Sequence, residues 1–163
     1  MAKYRLLTEE ELKHLEKEFV DFLILNGIDA DDWVKMKNQN LENAAQIISA
    51  FSDAIMEGVL RKTEFLEKID KNRIASIHFQ EKQMVMAAME APIGSIADFN
   101  DPAFIKRATL DPPSYLKAYI TTEPFKDSRE LELFQFTENG WLVSDGKLYK
   151  TLCIAAAPSS EDK

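Results

Sequence analysis

The first forty residues carry an apolar pattern of helical period. Thr8 and Glu11 have the spacing of a capping box, which predicts that a helix begins after Thr8. The apolar positions that follow are Leu12, Leu15, Phe19, Phe22 and Leu23. Gly27 is suited to end this helix in a left-handed conformation. The segment "FVDFLILN", residues 19–26, is apolar on almost every side, so we expect other elements to enclose it.

A second helical pattern begins after Asn40, which can cap it. Its apolar positions are Leu41, Ala44, Ala45, Ile48, Phe51, Ile55, Val59, Leu66 and Ile69. A continuous helix over residues 41–69 would span ~40 Å at 1.5 Å rise per residue. That length exceeds the typical globular helix. It indicates a surface for a partner, or a sheet that the helix wraps.

The second half of the chain changes to a period of two. "RIASIHF" and "MVMAAME" flank the polar "QEKQ", which predicts a hairpin with strands at residues 73–79 and 83–90. A loop follows, and then Asp101 and Pro102 have the form of a cap and first turn for a short helix, 102–109. "YLKAYITT" is predicted to be a strand between two proline turns.

The C-terminal region leaves one alternative open. Asp127 and Glu130 have capping-box spacing and favour a helix that closes at Gly140. Alternatively, Asn139 and Gly140 form a tight turn between two strands. "WLVSDGKLYKTLCIAA", residues 141–156, is predicted to be a hairpin with Asp145-Gly146 as its type I′ turn.

These elements together predict an α+β fold. N-terminal helices, including one long helix, would pack on a mainly antiparallel sheet formed by the C-terminal half. With 163 residues and 45% hydrophobic content, we expect residues 1–157 to form a single domain with a packed core. Residues 158–163 are expected to be a frayed tail.

Charge and composition narrow the classes of partner. The net charge is −8 and no half of the chain is basic, so the electrostatic signature of nucleic-acid binding is missing. No apolar run approaches the roughly 20 residues that a membrane span requires. The charged N-terminus offers no apolar signal region, and the single cysteine, Cys153, suits a reducing compartment. We expect a cytoplasmic protein that binds neither nucleic acid nor membrane.

Three aspartates directly behind Gly27 raise the question of a metal site. An EF-hand loop counted from Asp29 would need an oxygen ligand at position 5, glycine at position 6 and glutamate at position 12. Those positions hold Trp33, Val34 and Asn40 instead. We therefore interpret Asp29 or Asp31 as the cap of a helix, and we expect no metal.

The remaining candidate residues favour structural roles. Glu11 and His14 match half of a di-iron motif, which needs a second copy and further glutamates, so a solvated His14 is the preferred interpretation. His78 is expected to be a core or surface imidazole, with a catalytic base as the alternative. Cys153 lies in a predicted apolar strand without the nearby cation that activates a thiol. Nucleotide-binding glycine motifs are missing, so we predict no cofactor and no catalytic residue.

Two segments carry a family resemblance. They are "KYRLLTEEELKHLEKEFVDFLILNGIDADDWVKMK" and "RELELFQFTENGWLVSDGKLYKTLCIA". In these segments, and nearly end to end, the sequence resembles a family of small bacterial proteins of unknown function. The resemblance implies a bacterial cytoplasmic origin and a single domain, and it brings no activity, ligand or catalytic residue.

Two functional hypotheses of different classes follow. The first is a non-enzymatic protein-interaction module that binds a protein partner or itself as a homodimer. Its contact surface would be a face of the long helix or an aromatic patch that includes Trp33 or Trp141. The second is a small-molecule-binding protein or enzyme with a pocket walled by the 91–115 loop region, because loops on rigid scaffolds often carry such sites. We favour the first.

Overall fold

A computed structural model describes residues 2–157. Four helices come first, three strands follow, and helices then alternate with strands to the end of this part of the chain. In order they are α1 (Glu9–His14), α2 (Glu16–Leu25), α3 (Ala30–Gln39), α4 (Leu41–Lys62), β1 (Phe65–Asp70), β2 (Arg73–Phe79), β3 (Gln83–Glu90), α5 (Pro102–Leu110), β4 (Lys117–Pro124), α6 (Arg129–Glu138), β5 (Leu142–Ser144) and α7 (Lys147–Ala156). This confirms an α+β fold with N-terminal helices, one of them long, and an antiparallel sheet in the C-terminal half.

The chain divides into two compact units, Met1–Leu60 and Arg61–Lys163. Unit 1 contains the first three helices and nearly all of α4. Unit 2 contains the five strands and the other three helices. The prediction that residues 1–157 form a single domain stays a prediction. The predicted frayed tail, residues 158–163, lies outside the described residues.

Unit 1 begins with the predicted capping box. The Thr8 hydroxyl accepts from the Glu11 N–H at 3.1 Å, and the Glu11 carboxylate accepts from the Thr8 N–H at 2.9 Å. The prediction of a single helix after this capping box is wrong in one respect. The backbone at Leu15 leaves the helical conformation, with φ −106° and ψ 22°, so α1 and α2 are two helices. Gly27, with φ 73°, follows α2.

The core of unit 1 is built around Phe51 of α4. Its side chain is 2% exposed, and its ring lies 5.0 Å from that of Phe19, centroid to centroid. The expectation that residues 19–26 are enclosed is wrong. Leu23 is buried, but Ile24 and Leu25 of the same helix are 63% and 85% exposed. One side of α2 therefore faces solvent with apolar side chains.

The long helix α4 begins where the sequence predicted and ends before the predicted residue 69. The Asn40 side chain accepts from the Asn43 N–H at 3.3 Å, but α4 ends at Lys62, giving a length of about 33 Å. Leu66 and Ile69, predicted for this helix, lie in β1 instead. Strand pairing decides the outcome, because β1 is paired on both sides and Leu66 is completely buried there.

The sheet of unit 2 has the order β4-β3-β2-β1-β5, and every neighbouring pair is antiparallel. The predicted hairpin 73–79/83–90 is confirmed with the predicted bounds. The predicted strand over "YLKAYITT" is confirmed as β4. Among the described strands, β4 and β5 therefore form the two edges of the sheet.

Helices lie on both faces of this sheet. On one face, here called the α7 face, Ile74 and Met89 pack with Phe104 of α5 and Leu152 of α7 in one buried cluster. The opposite face, here called the α6 face, contains Ile77, Met84 and Met86 on the strands, with Phe136 of α6 against it. The sheet is therefore central to the core of unit 2.

The hairpin predicted for residues 141–156 is wrong. Only β5 is a strand, and Gly146, with φ 89°, precedes helix α7. The apolar pairs Leu148–Leu152 and Tyr149–Cys153 are spaced by four residues, which is a helical spacing. Leu152 is completely buried. The Asp-Gly pair suggested a turn, but Gly146 is the N-cap of α7, and the Asp145 carboxylate before it accepts from the Lys147 N–H at 3.0 Å.

The two remaining predicted helices are confirmed. Asp101 caps α5 by accepting from the Ala103 N–H at 3.0 Å. The open alternative over residues 128–138 resolves to helix α6. Its cap is Ser128, which accepts from the Leu131 N–H at 3.2 Å, and not the Asp127–Glu130 capping box that the sequence predicted.

Candidate functional site

The two tryptophans proposed as a contact surface lie one in each unit. In unit 1, Trp33 is half-buried and lies edge-on to Phe19, with 5.1 Å between ring centroids. In unit 2, Trp141 is 8% exposed and packs edge-on to Phe136 at 5.5 Å. Both rings contribute to the packing of their own unit, and their role in a contact surface stays a prediction.

The acidic and histidine candidates of unit 1 have structural surroundings. Asp29 caps α3 and accepts from the Asp32 N–H at 2.8 Å, which confirms the helix-cap interpretation. His14 is exposed at the end of α1. Within residues 2–157, no three His, Cys, Asp or Glu side chains are grouped so that they could hold a metal ion.

His78 and Cys153 meet around one tyrosine. The His78 ring stacks on Phe65 at 4.5 Å and lies edge-on to Tyr149 at 5.4 Å. Burial, together with a hydrogen bond to Cys153, raises the pKa of Tyr149 to about 12. Cys153 is partly buried and lies on helix α7, not on a strand as predicted. This cluster is a packed aromatic group at the α7 face.

The 91–115 region does border a groove. The groove has a volume of about 610 Å³. Its lining consists entirely of residues from this region: Ile96, Phe104, Arg107, Ala108, Leu110, Asp111, Pro113 and Tyr115. Ile96 and Leu110 are 89% and 77% exposed, so the groove is shallow and mostly apolar.

A second cavity, which the sequence did not predict, lies on the α6 face. It has a volume of about 320 Å³. Strand residues and two aromatic rings line it: Arg73, Ile77, Met84, Met86, Thr121, Glu123, Phe136 and Trp141. These residues come from three strands, α6 and the turn after α6. They meet only through the strand register, which no local sequence pattern specifies.

Arg73, at one end of this cavity, is already engaged. Its guanidinium lies 3.3 Å from the Glu90 carboxylate, and the Tyr119 hydroxyl donates to the same carboxylate at 2.6 Å. Burial and the hydrogen bond to Glu90 raise the pKa of Tyr119. The network fixes Tyr119 on β4 and reduces the positive charge that Arg73 presents to the cavity.

The outer side of β4 is an exposed bonding surface of unit 2. Among the described residues, no strand pairs with this side. Six of the eight β4 residues are exposed, and Ile120 at the centre of the strand is 45% exposed. An edge strand of this length offers a row of N–H and C=O groups to another chain.

The hydrogen bonds at the two ends of β3 identify which groups these are. Gln80 N–H donates to the Gln83 carbonyl at 2.9 Å, and Ala91 N–H donates to the Asn72 carbonyl at 2.8 Å. Odd-numbered residues of β3 therefore bond to β2, and even-numbered residues bond to β4. In the β3–β4 register the even residues of β3 lie opposite the odd residues of β4.

The even-numbered residues of β4 consequently direct their backbone groups outward. They are Ala118, Ile120 and Thr122, followed by Pro124 at the end of the strand. Pro124 has no N–H, so Thr122 is the last outward donor and Pro124 offers only its carbonyl. The side chains alternate in the same way: Lys117, Tyr119, Thr121 and Glu123 lie on the α6 face.

Fold and site together define an α+β protein whose antiparallel sheet, within residues 2–157, is open along an eight-residue edge strand. None of the helices described is long and apolar enough to cross a membrane. The chain belongs to a family of unknown function, DUF6495, whose family model matches residues 1–156. This confirms the resemblance, nearly end to end, to a family of unknown function. Searches of curated proteins and of solved structures found no match.

Proposed function

We propose that this protein is a non-enzymatic interaction module that binds an extended segment of a protein chain along the outer side of β4. The added segment would become a sixth strand of the sheet. The observation that carries this proposal is the open bonding row at Ala118, Ile120 and Thr122. Strand addition is a recurrent mode of recognition, in which main-chain hydrogen bonds supply affinity and alternate side chains supply specificity.

The edge has few of the features that protect natural edge strands. Protective features include very short strands, bulges and inward-pointing charges. β4 has eight residues and pairs with β3 without interruption from Lys117 to Pro124. Its protection is limited to one proline at the end of the strand and to charges at its ends.

A proline substitution tests the proposal directly. Ile120→Pro removes one outward N–H, and the β3–β4 ladder loses no bond because Ile120 does not donate to β3. We expect this variant to keep its far-UV circular dichroism spectrum and to lose whatever chain the wild type binds, a second copy included. Association would be measured by analytical ultracentrifugation and by co-purification.

The matched control is Thr122→Val, which keeps every backbone group and the β-branched shape. It should bind as the wild type does. If Ile120→Pro binds a partner as tightly as the wild type, the edge is not the contact surface. If the folded wild type neither self-associates nor binds another chain, the interaction module itself is wrong.

A second candidate function is small-molecule binding in the groove of the 91–115 region. Its volume of about 610 Å³ falls in the range of ligand pockets, roughly 300–1,000 Å³. Native mass spectrometry of protein purified without chelators tests this candidate. A retained adduct that Leu110→Ala loses and Lys106→Ala retains would support it. A bare protein mass would count against it.

A further inference from the structure

We infer that the segment bound at this edge is β4 of a second copy of the chain, antiparallel, with Ile120 opposite Ile120 of that copy. This inference rests on the proposed function and names its partner. It follows from three properties of β4: the positions of its outward groups, its charges and its proline.

The outward backbone groups restrict the register. Only even-numbered residues present N–H and C=O groups to a partner, so an even residue must pair with an even residue. With Ile120 on Ile120, Ala118 lies opposite Thr122 of the second copy, and the reverse pair forms by symmetry. The three outward residues of each copy that have an N–H are then paired, which makes six hydrogen bonds, two for each of the three residue pairs.

The charges of β4 favour the same register. Lys117 and Glu123 lie on the α6 face at opposite ends of the strand, and both are exposed. In the Ile120-centred register, Lys117 of each copy lies opposite Glu123 of the other. The two-fold symmetry creates this pair twice, and opposite charges facing each other across strands stabilise a sheet.

The two neighbouring registers pair the two copies of β4 less favourably. Shifting the centre to Thr121 also gives six hydrogen bonds, but it places Ala118 opposite Pro124, which has no N–H to donate, and it places Glu123 opposite Tyr119. Shifting it to Tyr119 places Thr122 opposite Leu116, which lies outside the strand. Each shift also separates the two charges from their partners. The strand is therefore self-complementary in one register.

A charge exchange tests the register. Lys117→Glu would face Glu123 of the second copy with like charge, twice in the dimer, and Glu123→Lys would create two lysine pairs. We expect each single variant to weaken dimerisation about tenfold or more. The double variant K117E/E123K restores opposite charges at both positions and should return the dissociation constant to near the wild-type value.

This rescue cannot arise within one copy. Lys117 and Glu123 are six residues apart on one strand, which separates them by about 20 Å. Lys117 also faces Glu90 on β3, so Lys117→Glu can reduce the stability of the monomer. Thermal unfolding of each variant measures that effect separately. Rescue of dimerisation without rescue of monomer stability would support a contact between copies.

A cysteine pair tests the alignment independently. In the proposed register the two Ile120 Cα atoms are about 5.5 Å apart, within the range that a disulfide can bridge. Ile120→Cys should therefore form a covalent dimer under mild oxidation. The control Thr122→Cys lies opposite Ala118, far from its own symmetry mate, and should stay uncross-linked. Both are made with Cys153→Ala to remove the native thiol.

The outcomes separate this inference from the proposed function. A wild-type chain that sediments as a monomer at about 100 μM, together with no Ile120→Cys dimer, would overturn the self-pairing inference. If that same protein binds another chain and Ile120→Pro abolishes the binding, the proposed function stands. Cross-linking through Thr122→Cys and not through Ile120→Cys would also overturn the register.

Discussion

Gly146 is the residue whose conformation decides how β5 connects to α7. Its φ is +89°, and an added Cβ would lie 2.7 Å from a ring carbon of Phe65. Replacing Gly146 by a residue with a side chain would therefore carry two separate costs in free energy. An L side chain in the left-handed region costs about 1–2 kcal/mol, and a displaced ring in a packed region adds about 1–3 kcal/mol.

We expect Gly146→Ala to lower the free energy of unfolding by about 3 kcal/mol, as measured by urea denaturation. Two other glycines separate the contributions. Gly94 has a φ of +88° but open space around it, so Gly94→Ala should lower the free energy of unfolding by only about 1–2 kcal/mol. Gly58→Ala, in helix α4 with open space, should gain about 0.5–1 kcal/mol. Equal losses at Gly146 and Gly94 would exclude the ring contact as a cause.

We expect the carboxylate of Glu11 to make the stability of unit 1 depend on pH. Hydrogen bonds from Arg5 and from the Thr8 N–H lower the pKa of Glu11 from 4.5 to about 2. Because the folded pKa lies below the unfolded value, the folded state binds fewer protons in between. The stabilisation from Glu11 is complete above pH 4.5 and is lost as the pH falls towards 2.

The variant Arg5→Gln should raise the pKa of Glu11 towards 4.5, since it removes the largest cause of the shift. Carboxyl-carbon NMR titration measures the value directly. Lys13→Gln removes a charge two residues along the helix, where side chains do not face each other, and should leave the Glu11 pKa near 2. The same value in Arg5→Gln and wild type would contradict the assigned cause.

Residue-scale features were predictable where their cause is local. The caps at Thr8, Asp29 and Asp101 depend on residues two or three positions away. Those at Thr8 and Asp101 were predicted correctly, and Asp29 was one of two candidates for the third. The surroundings of His78 depend on Phe65 and on Tyr149, which is 71 residues further along the chain. No local pattern could assign the imidazole to that aromatic cluster.

At the scale of elements, α7 is the decisive case. A strand and a helix place residues 152 and 154 differently. In a strand they share one face, and in a helix they lie on nearly opposite sides. In the structure Leu152 is completely buried and Ile154 is 76% exposed. The wrong hairpin prediction came from giving the Asp-Gly pair more weight than the four-residue apolar spacing.

Alanine substitutions on α7 test this assignment. Leu152→Ala should lose about 2–5 kcal/mol of stability because it opens a cavity in the core. Ile154→Ala should change stability by no more than about 0.5 kcal/mol. Urea denaturation of the two variants provides the comparison. Comparable losses at both positions would indicate a strand and contradict the helix.

The end of α4 could not be predicted for a related reason. The apolar residues Leu66 and Ile69 continue the helical spacing, so a local pattern extends the helix through them. Their place in the fold depends instead on strand pairing. Leu66 pairs with Ile77 of β2 and with Val143 of β5, which is 77 residues further along the chain, and Ile69 pairs with Ile74 of β2. Long-range pairing overrides a local period when it buries a side chain such as Leu66 completely.

At the scale of the whole molecule, the open question is cooperativity. We predict that residues 1–157 unfold in a single transition, as expected of one domain. Trp33 lies in unit 1 and Trp141 in unit 2, so each tryptophan reports on one unit. The variants Trp33→Phe and Trp141→Phe leave one reporter each. Their fluorescence midpoints in urea should coincide with the midpoint from circular dichroism.

Two separated midpoints would contradict the single-domain prediction and show that the units unfold independently. Each Trp→Phe variant removes packing area as well as a signal, so its own circular dichroism midpoint serves as its reference. The comparison is therefore made within each variant and not between the two.

The surface proposed for interaction was only partly predictable from the sequence. "YLKAYITT" was correctly predicted as a strand, but its place at the edge depends on the order of all five strands. The tryptophans proposed for the surface are large and apolar, which also makes them suitable for packing. Burial of Trp141 illustrates why aromatic content alone does not locate a contact surface.

The two edges of the sheet differ in length, because β5 has three residues and β4 has eight. A pair of copies joined through β4 uses the long edge of both molecules and leaves one short β5 edge at each end. Three residues provide too few backbone bonds to recruit a third copy in the same way. The symmetry of the contact then closes the assembly at two copies, whereas two equally long edges would permit growth into a fibre.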